Sequence, residues 1–384
     1  MAEPMQQKIK PRLCFVAHNA YGALACVNTG YMGGIERQTS SMARWFAGRG
    51  YPVSMVTVDE GQPDGIEVAG VRVFKMCTRD AGIKGLRFLH PKWTSLCHAL
   101  HRANADIYYY NCGDLGLGQV VLWCGRHGRR SVYSVASDPD CDRRLPVLKP
   151  LRERMLYRYG VCHAGSIIVQ TQRQQQMLKE GFGVDSTVIP MPCIGLDGDG
   201  TVNREAPPNG PSHVLWVGRI SKEKRFEWLL DIAERCPEMT FDVVGATNSS
   251  FEYASALMQR AAGIPNVKMH GRVPHAEIAK YYAQSRVLCC TSAYEGFPNT
   301  FLEAWSCGVP VVSTFDPDSL IANQELGLVA NDQQGIAGRL REISREHQIW
   351  LKASEAARQY YLTHHAPEVS LPRFEQLFLR VAGH

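Results

Sequence analysis

What this 384-residue chain lacks narrows its class before any motif is read. It has no run of about 20 consecutive apolar residues, the length that crosses a bilayer, so no membrane-spanning helix is expected. Nothing at the amino terminus reads as a secretory leader, because Met1 to Lys10 is polar and the apolar stretch Leu13 to Ala17 is too short for a leader's core. The 13 cysteines are scattered, none forms a Cys-x-x-Cys pair, and the adjacent Cys289 and Cys290 fall in an apolar run that should be buried. Reduced thiols in the cytosol are therefore expected, not a disulfide framework or a metal site. No G-x-G-x-x-G follows the first strand and no G-x-x-x-x-G-K-[ST] occurs anywhere, which argues against a dinucleotide dehydrogenase and a P-loop ATPase. No repeat of fixed period is visible.

What is present is length enough for two domains and an alternation, made twice, of short apolar runs with amphipathic stretches. In the first half Arg12 to Ala17 reads as a strand. A helix should open at Gly33-Gly34, turn Ile35, Met42, Trp45 and Phe46 inward, and stop at Gly50. Pro52 to Val58, Ile107 to Tyr110 and Ser131 to Ala136 read as further strands, with Ser166 to Gln170 as the last of this half. Cys193 to Ser212, rich in Gly, Asp, Asn and Pro, reads as a linker. The second half restarts with a strand at His213 to Val217 and a helix whose apolar Phe226, Leu229, Leu230 and Ala233 fall at i, i+3, i+4 and i+7. Thr240 to Gly245, Asn266 to Met269, Val287 to Thr291 and Val309 to Thr314 supply four more strands. The pattern is that of an α/β protein with two Rossmann-like parallel sheets.

Charge is uneven. Residues 1 to 190 hold 24 Lys plus Arg against 15 Asp plus Glu, while residues 191 to 384 hold 18 against 22. The basic half suits an anionic acceptor or membrane surface, or is simply a solvated face. Much of it is local: Arg126, Arg129 and Arg130 precede one strand, and Arg143, Arg144, Lys149, Arg152, Arg154 and Arg158 alternate with Leu145, Val147, Leu148, Leu151, Met155 and Leu156.

The most specific segment is Tyr294-Glu295-Gly296-Phe297-Pro298-Asn299-Thr300-Phe301-Leu302-Glu303-Ala304, between a buried strand and a helix. That places it at the carboxyl end of a parallel strand, where open α/β sheets take ligands. The amides of Gly296 to Thr300 at the helix start can receive a phosphate, and a carboxylate one turn on, Glu303, can accept sugar hydroxyls. Taken singly, Glu303 is also an ordinary charge near a helix start and Glu295 a solvated loop residue. Val217-Gly218-Arg219-Ile220-Ser221-Lys222-Glu223-Lys224 is a second strand-to-helix loop, and its two cations suit a diphosphate, more so as it leaves a sugar carbon. Gly33-Gly34 allows close backbone approach to an anion, or is plain turn chemistry.

Together, in this order and in these two halves, these elements resemble glycosyltransferase family 4, whose members have the GT-B fold of two facing Rossmann-like domains with a donor cleft between them. The resemblance implies transfer of a hexosyl group from a UDP- or GDP-sugar to an acceptor hydroxyl, with retention of configuration, without an obligatory metal or other cofactor. By position, Arg219 and Lys224 would hold the diphosphate and Glu303 the nucleotide ribose. Glu295 would approach the transferred sugar, with the backbone of Gly33, Gly34, Gly218, Gly296, Phe297, Pro298 and Asn299 beside phosphates and sugar, and Val273 of Gly271-Arg272-Val273 near the base. The implied domains are residues 1–192, joined by a returning segment 366–384, and residues 213–365, with a linker at 193–212. The expected partners are the nucleotide-sugar donor, a glycan or lipid-linked acceptor as in polysaccharide assembly, and an anionic membrane surface at which a cytoplasmic enzyme is peripheral, but not nucleic acid.

One departure stands out. Where many members read V-Y-T-V-H, this chain has Val132-Tyr133-Ser134-Val135-Ala136, then Ser137-Asp138-Pro139-Asp140. Alanine cannot hydrogen-bond a sugar, so Ser137 or Asp138 takes over, Asp138 being favoured, or the sugar is held differently; His18 after the first strand is another candidate. Two other functions fit: a nucleotide-sugar epimerase of the same architecture, or a non-catalytic nucleotide-sugar-binding protein.

Overall fold

A computed structural model describes residues 10–30, 33–196, 212–245 and 251–383. Most of the polar amino-terminal stretch and most of the expected linker, residues 197–211, lie outside the described residues. The chain forms two compact units, Met1–Pro192 with Ser370–His384, and Cys193–Val369.

Among the described residues, the first unit holds eight strands: β1 Leu13–Val16, β2 Val53–Thr57, β3 Ile66–Val68, β4 Val71–Lys75, β5 Ile107–Tyr110, β6 Arg130–Ser134, β7 Ser166–Val169 and β8 Thr187–Val188. Their order is β3-β4-β2-β1-β5-β6-β7-β8. All neighbours pair in parallel except β3 with β4. Buried on both faces, β1, β2 and β5 read as continuous apolar or aromatic runs. The sequence expectation that Ser166 to Gln170 is the last strand is corrected by β8, two residues long and too short to register as an apolar run.

The helix Gly34–Gly48 buries Met42 and Phe46, whereas Ile35 and Trp45 are only half-buried. Trp45 instead lies 4.6 Å from the Arg49 guanidinium, which covers its ring. Phe46 stands 5.3 Å from Phe378 of the helix Pro367–Ala382, and Phe378 in turn 6.0 Å from Tyr109 and 6.5 Å from Phe15. These rings and the hydrogen bond from the Tyr51 hydroxyl to Glu375, 2.7 Å, fasten the carboxyl-terminal helix to the first sheet.

The second unit holds a parallel sheet of β9 His213–Val217, β10 Thr240–Val244, β11 Val267–Gly271, β12 Val287–Cys290, β13 Val311–Ser313 and β14 Gly327–Val329, in the order β11-β10-β9-β12-β13-β14. The helix Phe226–Arg235 buries Phe226, Leu229, Leu230 and Ala233, as the spacing requires. Each sheet reverses its winding once, between β1 and β5 in the first unit and between β9 and β12 in the second. Such switch points open a crevice at the carboxyl ends of the strands. No helix among the described residues is long and apolar enough to cross a membrane.

Candidate active site

The two loops that the sequence singles out flank the β9/β12 switch point. After β9 the chain makes a short turn, Lys222–Lys224, and enters the next helix through Arg225. After β12 it runs through Glu295 to the helix Asn299–Ser306, entered from Pro298. The loops are joined by main chain, the Ala293 amide donating to the Glu223 carbonyl at 2.8 Å. They are also joined by side chains. The Trp216 indole donates to the Thr291 hydroxyl (3.1 Å), which donates to the Lys224 carbonyl (2.7 Å).

Lys224 and Glu295, read separately from sequence as a diphosphate cation and a sugar-facing acid, form an ion pair with each other, both side chains mostly buried. Arg219 pairs more loosely with Glu223 at 3.3 Å, and its side chain is 63% exposed. Burial works against the Glu223 charge, yet hydrogen bonds from Ser221 and its own amide, with Arg219 and Lys224 nearby, carry its pKa below its ordinary value. The two cations of this loop are thus each paired with a neighbouring carboxylate.

Glu303 lies on the helix Asn299–Ser306, 4% exposed, and its Oε2 accepts from the buried Tyr282 hydroxyl at 2.8 Å. Its orientation is therefore fixed, not that of a solvated charge. Gly296 and Pro298 are buried, and Asn299 is half-buried at the helix start. The Phe297 ring packs 5.0 Å from His365 and 6.0 Å from Trp305. Gly218 and Gly245 touch backbone to backbone: a Cβ on Gly245 would lie 1.8 Å from the Gly218 carbonyl oxygen. The Gly245 amide donates to the Gly271 carbonyl at 2.8 Å, and half-buried Val273 follows two residues on.

Sequence reasoning missed Arg225. Its φ is 48°, and its guanidinium donates to the carbonyls of Thr291 (2.6 Å) and Ser292 (2.7 Å) and to the Thr314 hydroxyl (2.8 Å). It clamps the loop after β9 to those after β12 and β13. In the run Lys222-Glu223-Lys224-Arg225 it looks like one more surface cation, and only tertiary contact separates it from the others. Tyr282, which orients Glu303, carries no sequence signal beyond an apolar position on a helix.

In the first unit, the Gly33 amide that was expected to meet an anion donates to Glu36 Oε2 at 3.0 Å. The acid three residues on caps its own helix. Asp138, the favoured substitute for the missing histidine, is also engaged, accepting from Gln174 at 3.0 Å and standing 3.7 Å from Arg173. Asp140 is the more unusual acid. Burial pushes its pKa up to about 6, against hydrogen bonds from the Ser137 hydroxyl and amide. At the β1/β5 switch point, burial lowers the His18 pKa, with Asp114 opposing. The Tyr110 hydroxyl donates to Asp114 at 2.5 Å.

Two largely parallel sheets, each with its switch-point loops, form the architecture of the GT-B class. Comparison with known proteins agrees: residues 33–193 match the glycosyl transferase 4-like domain and residues 211–346 the domain of glycosyl transferases group 1. The chain belongs to the GT-B glycosyltransferases of the family 4 type. The amylovoran biosynthesis glycosyltransferase AmsD of Erwinia amylovora is 23% identical over 90% of this chain and 95% of its own length. The GtfA subunit of the UDP-N-acetylglucosamine–peptide N-acetylglucosaminyltransferase of Streptococcus pneumoniae is 27% identical, but over 41% of this chain and only 32% of its own length. Among solved structures, Anabaena HepE in complex with UDP and glucose superposes with a TM-score of 0.73 at 17% identity, covering 97% of this chain and 99% of HepE.

Proposed function

We propose that this chain transfers a hexosyl group from a nucleoside-diphosphate sugar to an acceptor hydroxyl, with retention of configuration and without a metal, in the assembly of a cell-surface glycan. The observation that carries the proposal is the pairing of Lys224 with Glu295 beside the β9/β12 switch point, between two loops that Arg225 holds together, with Glu303 fixed by Tyr282 on the helix that the second loop enters. In this scheme the diphosphate draws Lys224 away from Glu295 and recruits Arg219, whose side chain is exposed and only loosely paired with Glu223. Glu295, released, accepts hydroxyls of the sugar to be moved. Glu303, held by Tyr282, accepts those of the ribose, each charge-assisted bond contributing roughly 1.5 to 3 kcal/mol once water is excluded. As the sugar carbon separates from the diphosphate, negative charge grows on the leaving oxygen, and Lys224 and Arg219 stabilise it.

A related glycosyltransferase in amylovoran synthesis and a similar fold that binds UDP and glucose support the polysaccharide setting and the type of donor. The test is chromatography with mass spectrometry of a panel of nucleotide sugars, incubated with and without lipid-linked and soluble glycan acceptors, in the presence and absence of chelator. Acceptor-dependent release of nucleoside diphosphate that persists in chelator is expected. An isomerised sugar nucleotide formed without acceptor would make the protein an epimerase, and tight binding without turnover a binding protein. Activity lost in chelator and restored by manganese would overturn the metal-free scheme.

A further inference from the structure

The first unit exposes large apolar side chains where a water-soluble surface has little reason to. Ile83, Leu86 and Leu89, on the turns leading into and through the segment Phe88–Trp93, are each more than half exposed. So are Val147, and Leu151 and Met155 at i and i+4 on the helix Leu151–His163. These two groups are neighbours, since the Arg152 guanidinium lies 4.0 Å from the ring centre of Phe88.

The outward aim of Leu151 and Met155 is built in. The helix Leu151–His163 docks through Tyr157, Gly160 and Val161, and Gly160 lies so close to the helix Gly116–Arg126 that a Cβ there would stand 2.5 Å from Leu117. That contact settles the helix rotation and leaves the opposite side outward. The sequence pattern left open whether the leucines of this stretch face the core. Leu145 is buried and Leu148 half-buried, while Val147, Leu151 and Met155 are exposed.

Around these side chains the charge is predominantly positive, although Arg144 is paired with Asp142. Residues 82–92 and 143–158 together hold nine Lys and Arg against a single acid, Glu153. The fully buried cores of protein–protein interfaces are depleted in charged residues as a group. Here the apolar side chains are interspersed with long cations whose stems can run along hydrocarbon while their heads stay at the level of headgroups.

We propose that Ile83, Leu86, Leu89, Val147, Leu151 and Met155 form a membrane-insertion face, and that the cations between them bind the anionic headgroups of a phospholipid leaflet. The face lies on the first unit alone and does not depend on which sugar the enzyme moves.

The test is sedimentation of the full chain with vesicles of phosphatidylcholine alone and with added phosphatidylglycerol, at low and moderate salt. Binding to the anionic vesicles, weakened by salt, is expected. Each cation near an anionic leaflet contributes about fivefold to binding, so Lys84→Glu with Lys149→Glu should lower it by at least about 25-fold. Leu86→Ser with Leu89→Ser, and separately Leu151→Ser with Met155→Ser, should weaken binding about tenfold or more with circular dichroism unchanged. No preference for anionic vesicles, or folded serine variants that bind like the wild type, would overturn the proposal. So would concentration-dependent self-association in sedimentation velocity that the serine substitutions abolish, which would make the face a contact between copies of the chain.

Discussion

At the scale of single residues, Asp140 makes a prediction whose sign is fixed by its burial. Its folded pKa, about 6, lies above the roughly 3.9 of an unfolded aspartate, so the folded state holds the proton more tightly. The stability it contributes is full below about pH 4 and is lost as pH rises through 6, amounting to about 3 kcal/mol at most. Asp140→Asn removes the titration, so the melting temperature of the wild type relative to this variant should fall between pH 4 and pH 7, and a constant difference across that range would contradict the assignment. The two carboxylates of the second unit should separate by kinetics instead. A ribose contact exists in ground and transition states alike, whereas a contact to the reacting sugar strengthens as charge develops. Glu303→Ala should therefore weaken nucleotide binding measured by calorimetry, while Glu295→Ala should mainly slow transfer. Equal losses of affinity with turnover intact in both variants would refute that division.

At the scale of elements, β3 and β4 were missed in the sequence and show why. Val68 pairs with Val71 across a two-residue turn in which Ala69 and Gly70 both have positive φ, 51° and 76°. Such turns favour Asn-Gly or Asp-Gly, and Ala-Gly carries no such signal. An L-alanine in the left-handed region costs on the order of 1 kcal/mol, which asparagine tolerates better. Ala69 is exposed, so Ala69→Asn should stabilise the first unit by about 0.5 to 1 kcal/mol in denaturant unfolding, and a destabilised variant would show the turn to be of another type. The long, doubly buried strands β1, β2, β5 and β9 were legible because burial on both faces writes a continuous apolar run. The edge strand β8, two residues long, leaves none, and β14 lies in a short run, Leu326 to Ala330, that a glycine interrupts. The site was legible in the same unequal way. Glu295, Glu303, Arg219 and Lys224 stand beside strand ends in the sequence itself, whereas the Arg225 clamp, the Tyr282 support and the Glu36 cap at Gly33 depend on what folding brings together.

At the scale of the whole molecule, donor binding is proposed for the second unit and membrane contact for a face of the first. Both rest on the same architectural device, a parallel sheet whose connecting segments carry the chemistry while the strands supply rigidity. The donor assignment is the central claim, and it turns on the two cations of the loop after β9. Lys224 is mostly buried and poised by its pairing with Glu295, and Arg219 is exposed at the same turn. Removing one preorganised stabiliser of developing charge typically lowers turnover by about 10²- to 10³-fold. The measurement that tests this most directly is the rate of acceptor-dependent nucleoside-diphosphate release from UDP-, GDP- and ADP-sugars by the wild type, Lys224→Ala and Arg219→Ala, each verified as folded. The account predicts release from at least one donor by the wild type and a loss of about 10²- to 10³-fold in each variant. Folded variants that turn over at the wild-type rate, or a folded wild type that releases nucleoside diphosphate from none of these donors, would contradict it.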